Sequence, residues 1–294
     1  MTPNQRGLHP LELIVAFVAL IAVFALTIGF AQAGDLNKKA KKPEELYLRS
    51  SVALVQDASS GEMLFAKNQD VVLPIASITK LMTAMVLLDA KVDLAQRVVI
   101  SDEDYDTVKG TRSRLRAGTA LTRDELLLLA LMSSENRAAA ALGRTAPGGT
   151  EVFVAAMNAK AHALGMNDSH FVDPTGLNSA NVSSAHDLAR LVSAAHEYPL
   201  IRQYSTRERA TVSAFGRPLD FRNTNGLVRN SGWEIGLSKT GYISEAGRCL
   251  VMRVKMASRE VIVVLLDSWG KLSRIGDATR IKKWMETSVV KPQG

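Results

Sequence analysis

A lysine sits inside a helix that has almost no polar face. Across residues 75–90, Ile78, Leu81, Met82, Met85 and Leu88 recur at helical spacing, and Val86 and Leu87 add apolar residues around the other side. Such a helix must be enclosed by other elements, which commits the chain to a large shared core. Lys80 lies in its first turn, where an unpaired ammonium would be expensive and its pKa is expected to fall. Three residues earlier stands Ser77, and residues three apart on a helix share a face. An alcohol needs a base within hydrogen-bond reach to act as a nucleophile, and a partly neutral lysine can supply one. The helix N-terminus also favours negative charge developing at Ser77 or at a reacting carbonyl oxygen.

The Ser-x-x-Lys spacing recurs at Ser268-Trp269-Gly270-Lys271 and Ser288-Val289-Val290-Lys291. Context selects Ser77, because Gly270 weakens any helix after Ser268 and Ser288 lies beside a polar chain end.

The N-terminus carries Arg6 and His9, then an uncharged run over residues 13–30, then Ala31-Gln32-Ala33 before Gly34-Asp35. That pattern reads as a secretory signal over residues 1–33, cut after Ala33; the run is also at the lower edge of what spans a bilayer, so an uncleaved anchor competes. Either way the remainder is exported. Residues 34–50, with Lys38, Lys39, Lys41 and Lys42, read as a solvated lead-in to a domain over residues 51–290. The formal net charge of +7 suits an anionic surrounding such as wall polymer or a membrane surface. Nucleic acid is not indicated, because Lys and Arg are scattered and aromatics are only 5%. The single cysteine, Cys249, reads as a small buried hydrophobe. The five histidines show no ligand spacing, so no metal and no cofactor are expected.

Residues 52–56 and 63–67 read as a hairpin around a turn at residues 57–61, and residues 97–101 as a short strand. The charged stretch 102–118 reads as a loop at the rim of a site. Residues 121–146 have a helical pattern, with a Thr122 and Glu125 capping box, broken in the middle by Ser133-Ser134-Glu135-Asn136. Further helices are expected over residues 151–164, closed by Gly165, and 185–196, preceded by Ser184. Beyond Pro199 the pattern turns to strands, at residues 210–214, 219–222, 237–242, 249–256 and 261–267, before a last amphipathic helix. Strands at both ends with helices between imply an α+β fold in which the first hairpin joins the late strands in one antiparallel sheet. The expected division is an α/β lobe over residues 51–80 and 200–290, and a helical lobe over residues 81–199.

Ser134 and Asn136 follow an apolar helix, which suits either a plain helix break with capping groups or polar side chains presented to a cleft. Lys239-Thr240-Gly241 falls in a strand that reads either as ordinary surface or as an edge pairing with a substrate backbone. In the second case Gly241 permits close approach, Lys239 and Thr240 hold a carboxylate, and Lys239 is the cation that depresses Lys80. The segment from His170 to Leu177 reads as a structural turn.

Taken in order, Ser77-Ile78-Thr79-Lys80, Ser134-Glu135-Asn136 and Lys239-Thr240-Gly241-Tyr242 resemble the three motifs of penicillin-binding proteins and serine β-lactamases. With their flanks, Pro74 to Met85 and Leu131 to Ala140, they most resemble the D-alanyl-D-alanine endopeptidases of the Gram-negative periplasm, over residues 51–286. The resemblance implies the serine β-lactamase and DD-peptidase fold, with an antiparallel sheet, flanking helices and a largely helical lobe. It implies cleavage of D-Ala to diaminopimelate cross-links through an acyl-enzyme, with peptidoglycan peptide stems and β-lactams as partners. Ser77 would be the nucleophile, Lys80 the base, Ser134 a proton shuttle between Lys80, Ser77 and the leaving amine, and Asn136 a clamp on the substrate amide. Lys239 would bind substrate, and the amides of Ser77 and Tyr242 would form the oxyanion hole. Loose membrane association is compatible with the same features. In class A β-lactamases a loop glutamate directs water onto the acyl-enzyme; residues 170–178 contain none, which argues against rapid β-lactam hydrolysis. Rival readings are a D-Ala-D-Ala carboxypeptidase, a β-lactamase and a penicillin-binding sensor without catalysis.

Overall fold

The computed structural model describes residues 46–289, with no account of the side chains of residues 288 and 289. The signal, its cleavage site and most of the lead-in therefore lie outside the described residues. The lead-in ends earlier than expected: Leu48 is already buried and a strand begins at Ser50.

The elements run β1 (Ser50–Asp57), β2 (Met63–Lys67), β3 (Leu73–Pro74), a 3₁₀ turn (Ala76–Ile78), α1 (Thr79–Asp89), β4 (Arg97–Val99), a 3₁₀ turn (Asp102–Asp104), β5 (Ala120–Thr122), α2 (Arg123–Met132) and α3 (Asn136–Arg144). Then come α4 (Gly149–Ala163), β6 (Val182–Ser183), α5 (Ala185–His196), α6 (Pro199–Ser205), β7 (Arg209–Ala214), β8 (Arg217–Arg222), a 3₁₀ turn (Gly226–Arg229), β9 (Glu234–Ile243), β10 (Gly247–Met256), β11 (Arg259–Ser268) and α7 (Ser273–Val289). Five strands form one antiparallel sheet in the order β2-β1-β11-β10-β9, so the first hairpin does join the late strands, and β9 is an edge.

Both faces of this sheet are covered, which is why β11 reads as an unbroken apolar run from Val261 to Leu266. Strand alternation sends Val52, Leu54, Val251, Ile262 and Val264 into one core with the helices around α1. Ala53, Val55, Leu250, Met252, Val263 and Leu265 face a second core closed by Ala278, Ile281 and Met285 of α7. At the rate of ~25 cal/mol per Å² of apolar surface, such burial is the main term holding the layers together.

Three elements differ from the sequence pattern. Residues 120–122 pair with residues 97–99 as a short strand, and the helix begins only at Arg123, with Thr122 as its N-cap in the expected capping box. The chain after Tyr198 forms a helix before any strand: Pro199 occupies its first turn, where proline's missing N–H has no cost, and Ile201 and Tyr204 are buried. The hairpin β7–β8 stands apart from the five-stranded sheet as a sheet of its own.

One buried carboxylate ties the N-terminal strand to the last helix. Asp277, wholly buried, accepts hydrogen bonds from the backbone N–H of Arg49 (3.0 Å) and Ser50 (2.7 Å) and from the Ser50 hydroxyl (2.6 Å), and pairs with Arg280. Burial pushes its pKa up, but the bonds from Ser50, Arg49 and Arg280 outweigh that and hold it below the usual carboxylate value. A depressed carboxylate stabilises the fold above its unfolded pKa and loses that contribution as pH falls through the folded one. Asp277→Ala is expected to lower stability by about 2–4 kcal/mol, read as a shift in urea midpoint with unchanged m-value, and to flatten the acid limb of stability against pH.

Candidate active site

The turn before α1 sets the site. Ile75 and Ala76 lead into a 3₁₀ turn that carries Ser77, and Ala76 holds a left-handed backbone at φ 48°, a strained state for a non-glycine residue. α1 then starts at Thr79, and the chain from Thr79 to Leu87 is buried, as the apolar pattern required.

Lys80 is 1% exposed, and its Nζ donates to three acceptors: Ser77 Oγ at 2.8 Å, Asn136 Oδ1 at 2.7 Å and the Thr175 carbonyl at 2.6 Å. An ammonium has three N–H groups, so all three are satisfied. Burial pushes Lys80 down to about 7, against the opposing pull of Asp173, Glu135 and Asp106. When Lys80 is neutral, its two N–H groups can stay on Asn136 and Thr175, which leaves the lone pair for the Ser77 hydroxyl.

Ser134 sits between α2 and α3 with φ 59°. Helix-break capping falls to its neighbours: Ser133 Oγ donates to the Leu129 carbonyl, and the Glu135 side chain accepts from Arg137 N. The Ser134 hydroxyl instead accepts from Lys239 Nζ at 2.8 Å, a partner 105 residues away. Lys239, 1% exposed, also donates to the Thr240 carbonyl at 2.9 Å. Burial, with Lys80 and Arg274 as neighbouring cations, holds its pKa well below the ordinary lysine value.

At Asn136 and Ser134 the observed partners differ from the expected ones. Asn136 holds Lys80 and donates through Nδ2 to Thr111 Oγ1 at 2.9 Å, so both ends of its amide are engaged within the protein. Ser134 is hydrogen-bonded to Lys239 rather than to Lys80 or Ser77. Burial is the first cause of the fall in Lys80, as the enclosed helix requires.

β9 closes the cleft on the other side. Gly241 lies so near the Ser77 turn that a Cβ there would stand 2.8 Å from the Ile75 carbonyl and 3.2 Å from Ser77 N, so only glycine lets the strand approach. Thr240 is buried with its hydroxyl 2.6 Å from that of Thr224, while Tyr242 is exposed with Arg248 over its ring. A cavity of about 240 Å³ is lined by Ser77, Ser134, Asn136, Thr240, Gly241 and Tyr242, so the expected residues converge, with Lys80 and Lys239 beneath.

Sequence reasoning missed four polar contributors to this cleft. Thr111, Thr224 and Arg274 line it; the Arg274 guanidinium donates to the Gly241 and Cys249 carbonyls and brings a third cation. The fourth is Thr175, from the segment read as a structural turn. Gly176, at φ 80°, is packed so tightly that a Cβ would lie 2.0 Å from the Ala76 carbonyl, and this contact seats the Thr175 carbonyl against Lys80. Asp173 knits the turn by accepting from the Thr175, Gly176 and Asn178 amides and from Asn181 Nδ2. The proline and glycine marked a turn in the sequence; nothing in the sequence marked the carbonyl as an acceptor for Lys80.

The other two Ser-x-x-Lys matches do not resemble this. Ser268 ends β11, buried against Ser50, and Lys291 lies outside the described residues. Cys249 is buried, and burial pushes its thiol up to about 11, which fits the inert role expected of it.

Residues 37–270 match the Peptidase S11 family, described as D-alanyl-D-alanine carboxypeptidase. The chain is 48% identical over 277 residues to a D-alanyl-D-alanine endopeptidase of Pseudomonas aeruginosa, covering 93% of this chain and 89% of that protein. It is 46% identical to a D-alanyl-D-alanine endopeptidase of Escherichia coli K12, covering 86% and 81%. Among solved structures it resembles the Streptomyces K15 DD-transpeptidase with a TM-score of 0.74 at 28% identity, covering 82% of this chain and 98% of that one. A D-alanyl-D-alanine carboxypeptidase of Mycobacterium tuberculosis H37Rv gives a TM-score of 0.74 at 28% identity, covering 84% and 94%. The fold is therefore that of the penicillin-binding DD-peptidases, and the site is that of a serine hydrolase. The chain belongs to the Peptidase S11 family.

Gly176→Ala is expected to cost about 2–4 kcal/mol and to slow labelling of the protein by fluorescent penicillin at least tenfold, because the 173–178 turn must withdraw from Ala76. Gly110→Ala, also at positive φ but with nothing within 4 Å of the added Cβ, should cost about 1 kcal/mol and leave labelling intact.

Proposed function

We propose that this protein is a serine DD-endopeptidase of the periplasm that hydrolyses D-Ala to diaminopimelate cross-links of peptidoglycan through an acyl-enzyme on Ser77, and that β-lactams acylate the same hydroxyl. The observation that carries the reading is the 2.8 Å bond between Lys80 Nζ and Ser77 Oγ, with the amine buried and anchored by Asn136 and Thr175. Neutral Lys80 takes the Ser77 proton as Oγ attacks the D-Ala carbonyl. Charge developing on that oxygen meets the backbone amides of Ser77 and Tyr242, which the close seating of Gly241 on the Ser77 turn brings into proximity. Collapse expels the diaminopimelate amine, which needs a proton; the pair of Ser134 and Lys239 at the cleft, together with Lys80, supplies the relay. Water then releases the acyl group by the same steps in reverse order.

The amine side of this bond carries a free carboxylate on its D-carbon, and Lys239, Thr240 and Arg274 give the cleft cations and a hydroxyl to receive it. Endopeptidase specificity is favoured over carboxypeptidase by the two relatives named for it at 46% and 48% identity. Slow deacylation of β-lactams is part of the proposal, since the one carboxylate of the 170–178 turn, Asp173, is saturated by amides rather than free to activate water. So are the export signal, the two-lobed organisation with the cleft between residues 51–80 plus 200–290 and residues 81–199, and a loose contact with the membrane.

Incubation with cross-linked muropeptide dimers should yield monomers, whereas release of terminal D-Ala alone would establish a carboxypeptidase. Ser77→Ala should abolish the penicillin adduct seen by mass spectrometry. The acylation rate should rise with pH through an inflection near 7, as Lys80 loses its proton, and level off above it. Lys80→Arg keeps the charge but cannot deprotonate, so acylation should fall by about 10³-fold at every pH from 6 to 9.

A further inference from the structure

A second and larger cavity, about 680 Å³, lies between the 113–117 loop and the β7–β8 hairpin. Its charged lining consists of Arg114, Arg116 and Arg217, and its apolar lining includes Ala214, Phe215 and Leu219. Strand register explains the arrangement. Ala210 pairs with Phe221, Val212 with Leu219 and Ala214 with Arg217, which places these side chains on one face of the hairpin; Asp220 belongs to the other face, where its Oδ1 accepts from Thr211. The cleft is thus cationic with an apolar floor.

None of the three arginines has a carboxylate within ion-pair distance among the described residues. Arg114 is nevertheless fixed, with its guanidinium 4.0 Å over the Phe221 ring and an N–H on the Asp220 carbonyl. An anchored, unpaired guanidinium loses little entropy on receiving an oxyanion and binds carboxylate with a matching fork of donors. Phe215, 67% exposed at the hairpin tip, adds an unspent apolar surface beside them.

The cleft adjoins the catalytic one through a single stretch of chain. Thr111 lines the catalytic cavity on Asn136, and Ser113 to Ala117 line the basic cavity. Thr111 and Arg114 are three residues apart, so at most about 11 Å separates them, while an extended peptide of four or five residues spans about 13–18 Å. One short stretch of chain thus borders both cavities, and a stem held at Ser77 that runs along residues 111–117 meets the arginines.

We propose that this cleft binds the free carboxylates of a peptide stem of the cross-linked substrate, so that the enzyme reads an acidic stem beyond the scissile bond. The inference rests on the proposed peptidoglycan substrate, whose stems carry carboxylates on their glutamate and diaminopimelate residues. Phosphate groups of a lipid surface would be a different partner, and the test separates the two. The stretch shared with the catalytic cavity and the pairing of three cations with an apolar floor suited to carbon stems favour the peptide.

Binding is best measured on the Ser77→Ala protein, which cannot turn substrate over. Its affinity for cross-linked dimers with free stem carboxylates, against the same dimers with those carboxylates amidated, should fall about tenfold on adding Arg116→Gln and Arg217→Gln, for the free-acid form only. The difference should close at about 0.5 M salt, where screening is strong. A thermal midpoint equal to the parent's shows that the replacements leave the fold intact. The proposal is overturned if the two replacements weaken both ligands equally or neither, if the parent binds neither, or if they abolish only sedimentation with phosphatidylglycerol vesicles. Failure of the wild-type protein to cleave dimers that it binds would sink the endopeptidase reading and leave this result standing on its own.

Discussion

The structure turns on a lysine ammonium taken out of water and given back three hydrogen bonds. Lys80 finds its acceptors in three stretches of chain, Ser77 on its own turn, Asn136 at the head of α3 and Thr175 in a distant loop. Each must be in place, since a buried cation that lost one would be short of a partner it cannot replace from solvent. The core around α1 therefore does two things at once. It encloses the helix, and it lowers the amine to where both protonation states are populated near neutrality.

Backbone geometry follows from the need to crowd these groups. Ala76 and Ser134 each adopt a left-handed backbone beside a key side chain, a local cost of order 1 kcal/mol apiece that the surrounding packing must offset. Gly176 and Gly241 remove the Cβ atoms that would keep the 173–178 turn and β9 away from the Ser77 turn. A five-stranded sheet buried on both faces gives a rigid backing, and its β9 edge, which borders the cleft, is open to pair with an extended ligand.

Charge in the cleft is organised rather than merely positive. Lys80, Lys239 and Arg274 repel one another, and the repulsion helps hold Lys239 low. Asp173, Glu135 and Asp106 pull Lys80 the other way and keep it from being neutral throughout. The balance leaves a site that is electrostatically prepared for an anion, in a protein whose relatives are named for acting on D-alanyl-D-alanine peptides.

Much of this was legible in the amino acids alone, because short-range physics governs it. Helical periodicity enclosed α1, the three-residue step put Lys80 beside Ser77, Thr122 and Glu125 marked a helix start, and the order of three motifs pointed to the family. Tertiary structure decided what depends on residues meeting from afar. The Thr175 carbonyl carries no side-chain signature, so its contact with Lys80 could not be read from Pro174 and Gly176. Asn136 and Ser134 were found as motif residues, yet which lysine each would hold depended on how β9 and α1 meet across the cleft. The sequence pattern turns to strands beyond Pro199, yet Pro199 opens α6, because proline is compatible with both roles and only the burial of Ile201 and Tyr204 selects one. Local sequence thus sets which groups are available and which faces they occupy, whereas hydrogen bonds across 56 to 105 residues of chain depend on the packed core.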